Sequence, residues 1–279
     1  LFKILVINDG SIDKTTEIAK NLGVQHIVSH TKNLGLAKTF MTGLKKASEL
    51  GADIIVNLDA DNQYSASDIE KLIQPILNKE ADIVIGARPI EKIKSFSPLK
   101  KLLQKAGSKF IKKLSGADIL DAPSGFRAFS KEAALKINVF DNYTYTMETI
   151  IQAQYKGLLI KSIPISVNED LRPSRLVKNN FDYIKRSVFT MMRVIIIYRP
   201  FRFFMKLSLF LLFAGILLGL RFLYFYIVNS SASGHIQSLI LCAILMIMGI
   251  QSMFFAVIAD LLAINRKLIE DVQIRIKEN

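Results

Sequence analysis

The chain has 279 residues, 51% of them hydrophobic, with 37 Lys or Arg against 24 Asp or Glu and a net charge of +13. A basic balance of this size selects anionic partners: phosphates, nucleic acid or lipid headgroups. The one cysteine, Cys242, excludes an intrachain disulfide and a cysteine-rich zinc site.

The sequence opens on Leu1, directly before a strand, so an upstream piece is expected. KILVIND (3–9) is a β-branched apolar run and reads as a buried strand. Ser11 is placed to cap a helix through Leu22, with Gly23 as its stop. VQHIVSH (24–30) predicts a second strand, and LAKTFMTGLKKASEL (36–50) an amphipathic helix ending at Gly51. DIIVNLD (53–59) is the third strand. SASDIEKLIQPILNK (65–79) is a helix in which Ser65 and Asp68 form a variant capping box. DIVIGAR (82–88) is a further strand. From Lys92 to Ala117 there are eight lysines and no acid, and Leu99, Leu102, Leu103, Ala106, Phe110 and Leu114 follow helical spacing within that stretch. Helices are expected at 131–137 and 147–156, and a strand at 159–167. Strands alternating with helices in this way predict an α/β fold with a mainly parallel sheet.

The composition then changes. LSLFLLFAGILLGLRFLYFYIV (207–228) and SLILCAILMIMGIQSMFFAVIA (238–259) each have the length needed to span a bilayer. The turn between them carries no Lys or Arg, whereas Arg199, Arg202 and Lys206 precede the first and Arg266 and Lys267 follow the second. By the positive-inside rule both ends face the cytoplasm. Between Leu171 and Lys206 there are nine Lys or Arg and one acid, Asp182. Two membrane spans put these charges, and those of 98–114, beside anionic lipid and not on nucleic acid, with a solvated helix face as the alternative for 98–114.

In open α/β sheets ligands bind beyond the carboxyl ends of the strands. Asp9, the pair Asp59 and Asp61, and Arg88 all fall at such ends. Adjacent carboxylates become favourable when a hard divalent cation, Mg2+ or Mn2+, sits between them and a phosphate. The alternative is that the pair only caps the following turn. His26, His30 and His235 form no catalytic constellation and are read as structural.

Together VINDGSIDKT (6–15), Asn33 and Gly35, LDADNQ (58–63), IGAR (85–88), SGFRAF (124–129), MET (147–149) and RPSR (172–175) resemble the family-2 glycosyltransferases of the GT-A fold. The branch resembled is that of polyprenyl-phosphate sugar synthases of the dolichyl-phosphate mannose synthase type. The resemblance implies a Rossmann-like GT-A catalytic domain over 1–170, a basic interfacial segment over 171–202, a transmembrane hairpin over 203–264 and a cytoplasmic tail over 265–279. It implies a nucleotide-sugar donor and a polyprenyl phosphate acceptor, dolichyl or undecaprenyl. Asp9 would meet the nucleotide. Asp59, Ala60, Asp61 and Gln63 would lie at the donor, with Asp59, Asp61 and Gln63 holding Mg2+ or Mn2+. Arg172 and Arg175 would clamp the donor diphosphate. Arg88, Ser124 and Arg127 would receive the acceptor phosphate, and Glu148 would point at the sugar or acceptor, making Asp61, Arg88 and Glu148 the catalytic set. The family begins with a strand ending in a P-x-Y-N-E type motif and then a helix; this sequence has neither. No ladder is therefore expected between residues 3–9 and 53–59.

A lipid phosphate suits this chemistry. A sugar hydroxyl needs a general base, but a phosphate monoester is already an anion and needs only to be brought to an anionic donor, a task for arginine. The expected reaction is an inverting in-line displacement. A processive polysaccharide synthase would carry a Q-x-x-R-W motif, and the chain has no Trp. A non-catalytic membrane module that binds the donor stays open as an alternative.

Overall fold

The computed structural model describes residues 3–93, 98–139, 145–168, 196–229 and 236–278, together with Lys185, Phe189, Met192 and Arg193. The chain divides into two compact units, residues 1–184 and 185–279.

In the first unit β1 (Leu5–Asn8) leads to the short α1 (Thr15–Asn21). Ser11 is not its cap; the Asp13 carboxylate accepts the Thr15 N–H instead, at 3.1 Å. Gly23 stops the turn with φ near 81°, a conformation glycine adopts without steric cost. β2 (His26–Ser29) pairs with β1 in parallel. α2 (Leu36–Glu49) begins after Gly35, buries Ala37, Phe40 and Leu44, and packs on both β1 and β3 (Ile54–Asn57). A single 3-10 turn, Ala66–Asp68, precedes α3 (Ile69–Leu77). The capping box expected there is not formed. Ser65 bonds to Ser67, and the buried Asp68 reaches across the fold to the backbone N–H of Ser166 at 2.6 Å.

β4 (Ile83–Ala87) is buried throughout, as its continuous apolar run predicts for a central strand. α4 (Pro98–Ser115) follows, then β5 (Arg127–Ser130), α5 (Lys131–Lys136), α6 (Thr146–Tyr155) and β6 (Ile160–Pro164). Ser130 caps α5 by accepting the Ala133 N–H at 3.1 Å. The larger sheet runs β3-β5-β4-β6. β5 is antiparallel to both neighbours while β4 and β6 are parallel, so β3, β4 and β6 share one direction. The carboxyl ends of β3 and β4 therefore lie at one edge, where β5 enters. Tyr64, Leu72, Val84, Phe126, Ala128 and Ile165 pack as the core beneath it.

Among the described residues no ladder joins β1 to β3; the two sheets are separate, as expected from the sequence. Accordingly β1 and β3 are half-buried where β4 is not.

The second unit includes two long helices among its described residues, α7 (Pro200–Asn229) and α8 (Ile236–Glu278). Pro200–Val228 and Ile236–Glu270 are long and apolar enough to cross a membrane. They meet through small residues. Ser208 Oγ donates to the Gly249 carbonyl at 2.8 Å and Ser252 Oγ to that of Phe204 at 3.0 Å. A Cβ on Gly249 would stand 2.7 Å from Leu212. Close backbone approach with serine bridges is how helices associate in lipid. Phe210, Phe213, Leu220, Phe254 and Ile258 point away from the pair and stay exposed. Among the described residues no protein surface covers them.

Candidate active site

The site is assembled at the shared edge of β3, β4 and β5. Asp59 follows β3 by two residues and is half-buried; Asp61 is exposed. The intervening turn is tight. Asn62 takes φ near 59°, and the Gln63 N–H donates to Asp61 Oδ1 at 3.0 Å. Asn168 holds the turn from behind, donating its backbone N–H to the Gln63 carbonyl and its side chain to the Asn62 carbonyl. Ala60 is exposed between the two aspartates.

Asp59 lies over Gly125. A Cβ on that glycine would stand 2.7 Å from Asp59 Oδ2 and 3.0 Å from the Tyr145 hydroxyl. Asn57 fastens this corner, donating to the Gly125 carbonyl at 2.9 Å and to the Tyr145 hydroxyl at 2.8 Å. Tyr145 donates to the same carbonyl and stacks on Phe40 with ring centroids 3.9 Å apart. From the other side the Gly125 N–H donates to the Tyr64 hydroxyl at 3.3 Å. Burial, then the charge of Asp61, raise the Asp59 carboxyl above its ordinary range, against the pull of Arg88 and Arg127. Burial, then Asp59, push the Tyr145 hydroxyl well up, so it stays a neutral donor.

Arg88, after β4, is held by Asp121. Its Nε and Nη2 donate to the two carboxylate oxygens at 2.7 and 3.1 Å, and its backbone N–H adds a third contact at 3.2 Å. Both side chains are buried. The bidentate fork fixes the guanidinium plane. Nothing in the sequence pattern had marked Asp121; the only cue was a lone acid in ILDAPSGF.

Arg127 differs from expectation. It pairs with Asn57 across the β3–β5 ladder, but its guanidinium turns inward and is wholly buried. Nε donates to the Ser124 carbonyl at 2.8 Å. Nη1 donates to the Thr146 carbonyl and Thr149 Oγ1 at 2.8 and 2.7 Å, and Nη2 to the Ala122 carbonyl at 2.6 Å. Burial pushes its pKa down to about 10, which leaves it charged at neutral pH. In this arrangement Arg127 braces the loop that carries Gly125 and is not presented to a phosphate. Ser124 is fully buried in the same loop. Glu148, in the first turn of α6, is also almost wholly buried and accepts from Gln152 at 3.2 Å. It too faces the interior and not the open edge.

Asp9 lies at the end of β1. Its two oxygens accept the N–H groups of Leu34 and Gly35 at 2.8 and 2.9 Å, and His30 Nδ1 donates to it at 2.8 Å. Burial alone would raise its pKa, but these bonds together hold it below the ordinary carboxylate value. His30 therefore has a structural partner, as its reading as a structural residue implied. Arg172 and Arg175 lie outside the described residues.

The donor set fits a hard divalent cation. Asp59 and Asp61 offer carboxylate oxygens on one turn, and among the described residues no three His, Cys, Asp or Glu side chains form a complete cage. Mg2+ or Mn2+ would take its remaining oxygens from a bound phosphate and water, its usual coordination beside one or two carboxylates.

The Glycosyl transferase family 2 model matches residues 1–137. Over 184 residues the chain is 37% identical to a UDP-N-acetylglucosamine–dolichyl-phosphate N-acetylglucosaminyltransferase of Methanococcus voltae, covering 58% of this chain and 73% of that one. The chain belongs to the family-2 glycosyltransferases.

This glycosyltransferase is also 30% identical over 205 residues to a dolichol-phosphate mannosyltransferase of Pyrococcus furiosus, covering 69% of this chain and 55% of the relative. Its fold is that of GT-A enzymes. The glucosyl-3-phosphoglycerate synthase of Mycobacterium tuberculosis, solved with Mn2+, UDP and phosphoglyceric acid, superposes with a TM-score of 0.52 over 70% of this chain and 67% of that one, at 16% identity.

Proposed function

We propose that this glycosyltransferase moves a sugar from a nucleotide-sugar donor to a polyprenyl phosphate at the cytoplasmic face of a membrane, with inversion. The observation that carries the reading is the Asp59–Asp61 turn beside Arg88 at a sheet edge, in a chain that also holds a lipid-compatible helical hairpin. The relatives named for dolichyl phosphate, and the fold neighbour solved with Mn2+ and UDP, support the same assignment.

Asp59 and Asp61, with Gln63 on the same turn, would hold Mg2+ or Mn2+ beside the donor diphosphate. The bound cation would neutralise charge that accumulates on the nucleoside diphosphate as it leaves. Asn57, Tyr145 and Gly125 fix where Asp59 stands. Arg88, oriented by Asp121, receives the acceptor phosphate, and the role of binding the donor diphosphate is assigned to Arg172 and Arg175. The acceptor oxygen forms a bond to the anomeric carbon as the bond from that carbon to the diphosphate breaks. No general base is required, because the attacking phosphate is already ionised.

The test is transfer of radiolabelled sugar from UDP-sugars and GDP-sugars to dolichyl and undecaprenyl phosphate, with the full chain in lipid vesicles. Asp61→Ala should abolish lipid-linked product and the Mn2+-dependent rise in melting temperature. Its melting temperature without metal should be unchanged, since Asp61 is exposed. An active Asp61→Ala enzyme with unaltered metal dependence would sink the assignment.

A further inference from the structure

α4 is amphipathic the wrong way round for a helix on a water-soluble domain. Its inner face, packed towards α6, is small and polar: Gln104, Gly107, Ser108, Ile111 and Ser115 are buried. Ser108 Oγ accepts the Ala122 N–H at 3.0 Å, which ties that face to the loop carrying Asp121 and Ser124. Its apolar stripe looks outward. Leu99 and Leu102 are 43% and 64% exposed, Ala106 is exposed, and Leu103 and Phe110 are only half-buried. At 100° per residue these side chains form one continuous arc. Lys105, Lys109 and Lys112 are exposed along one border of it and Lys113 lies within it. The helix contains no acidic residue.

An apolar arc edged by lysines matches the headgroup–acyl boundary of a bilayer, where leucine and phenylalanine enter the boundary and the ammonium groups remain at the lipid phosphates. A water-facing helix would reverse the burial, and a protein partner would not call for a row of like charges. The same chain carries two helices able to cross a membrane, so the domain is tethered where such a surface exists. We infer that the outer face of α4 docks on the surface of an anionic bilayer. The inference rests on the membrane placement proposed above and deepens it. Besides the Ser108 bond, Lys101 reaches the Glu91 carbonyl at 2.8 Å, Lys105 the Glu91 carboxylate and Lys112 Asp118. Glu91 lies three residues after Arg88 and Asp118 three residues before Asp121, so the docked helix is flanked in the chain by both members of that ion pair.

The sequence has no tryptophan, so single reporters can be introduced. Full-length Leu102→Trp and, as a second variant, Leu99→Trp are reconstituted in phosphatidylcholine vesicles with and without phosphatidylglycerol. Leu77→Trp, on exposed α3 surface, serves as an aqueous reference, and Phe213→Trp in α7 reports the anchor. The α4 reporters should shift to the blue and be quenched by brominated acyl chains in phosphatidylglycerol vesicles only. Adding Lys109→Glu and Lys113→Glu should return them to the level of neutral vesicles. Quenching at Phe213→Trp without quenching at either α4 reporter would overturn the docking and leave the membrane placement standing. No quenching at Phe213→Trp would overturn both. Blue-shifted α4 emission that bromolipid does not quench would mean that protein covers this face, and would also overturn the inference.

Discussion

Arg127→Leu separates a brace from a phosphate ligand. The guanidinium satisfies three carbonyls and a hydroxyl inside the protein. Leucine fills part of the volume but donates nothing. The Thr146 carbonyl still receives the Thr149 hydroxyl at 3.1 Å. The Ser124 and Ala122 carbonyls lose the donor shown here, at about 1–3 kcal/mol for each buried acceptor left unsatisfied. Relief of the burial cost of the guanidinium offsets part of that. The gross cost is about 2–6 kcal/mol and the net loss about 3 kcal/mol, a large share of the roughly 5–15 kcal/mol that holds a domain together. For a unit of this length it corresponds to a melting temperature lower by about 6–12 °C. Thermal unfolding of the detergent-solubilised chain, followed by circular dichroism, measures it. Arg127→Lys, which keeps charge and some donors, should recover part of the loss. In transfer assays below the new melting point the KM values for donor and acceptor should change together, because the loop under Asp59 loosens as a whole. Refutation would be an Arg127→Leu protein that melts within about 2 °C of wild type with only the polyprenyl phosphate KM raised. Arg127 would then be an acceptor ligand after all.

Gly125→Ala tests the corner beneath Asp59. The new Cβ would collide with Asp59 Oδ2, so the carboxylate must move; transfer should fall by more than about tenfold, on the scale set by misplacing a catalytic group by 1 Å. Mn2+ titration of the melting temperature should show weaker binding, and unchanged Mn2+ affinity would refute the placement. Asp68 predicts a pH dependence. Burial raises its pKa, but Lys71 and Ser166 outweigh burial and hold it below the ordinary value. The folded state therefore prefers the ionised form: its stabilisation is complete above about pH 3.9 and is lost as pH falls through the lower folded value. Asp68→Ala should melt earlier than wild type at pH 7, and the difference should shrink below about pH 4. A gap that stays constant across that window would show that the contacts, and not the charge, matter.

The regular α/β elements were legible because their apolar periodicity survives in the final structure. β1, α2, β3, α3 and β4 lie within the stretches read for them, and both apolar helices contain theirs. What was not legible depends on tertiary placement. β5 hides in SGFRAFS because its first residue is an arginine, and only burial against loop carbonyls makes that tolerable in a strand. The same contacts remove Arg127 from the surface, which spacing cannot reveal. Arg88 was located correctly at a strand end, but its partner Asp121 lies 33 residues away, across α4. The α4 stripe was read correctly as a stripe; that it faces outward follows only from the inner face being filled by serines and glycine. Asp68 fits a local capping pattern, yet its carboxylate is claimed by Ser166, which is distant in sequence.

The aspartate pair can now be understood through what surrounds it. Like charges two residues apart could be relieved by placing an arginine between them. The site contains two guanidiniums near enough to lower the Asp59 pKa, yet the first contacts of both lie elsewhere, Arg88 with Asp121 and Arg127 with backbone carbonyls. Their effect on Asp59 acts through space and is smaller than burial and the repulsion from Asp61, since the carboxyl is raised on balance. An internal ion pair at Asp59 would stabilise the empty site and would have to be broken each time a cation entered. Fixing the arginines on other acceptors keeps their positive field near Asp59 and would leave the carboxylate oxygens to a cation. The strain of the unrelieved pair is small in a half-exposed turn and would be offset on the proposed binding of cation and diphosphate together. On this reasoning Asp121→Asn should harm catalysis by more than the loss of one ion pair, because it would free Arg88 to collapse onto Asp59.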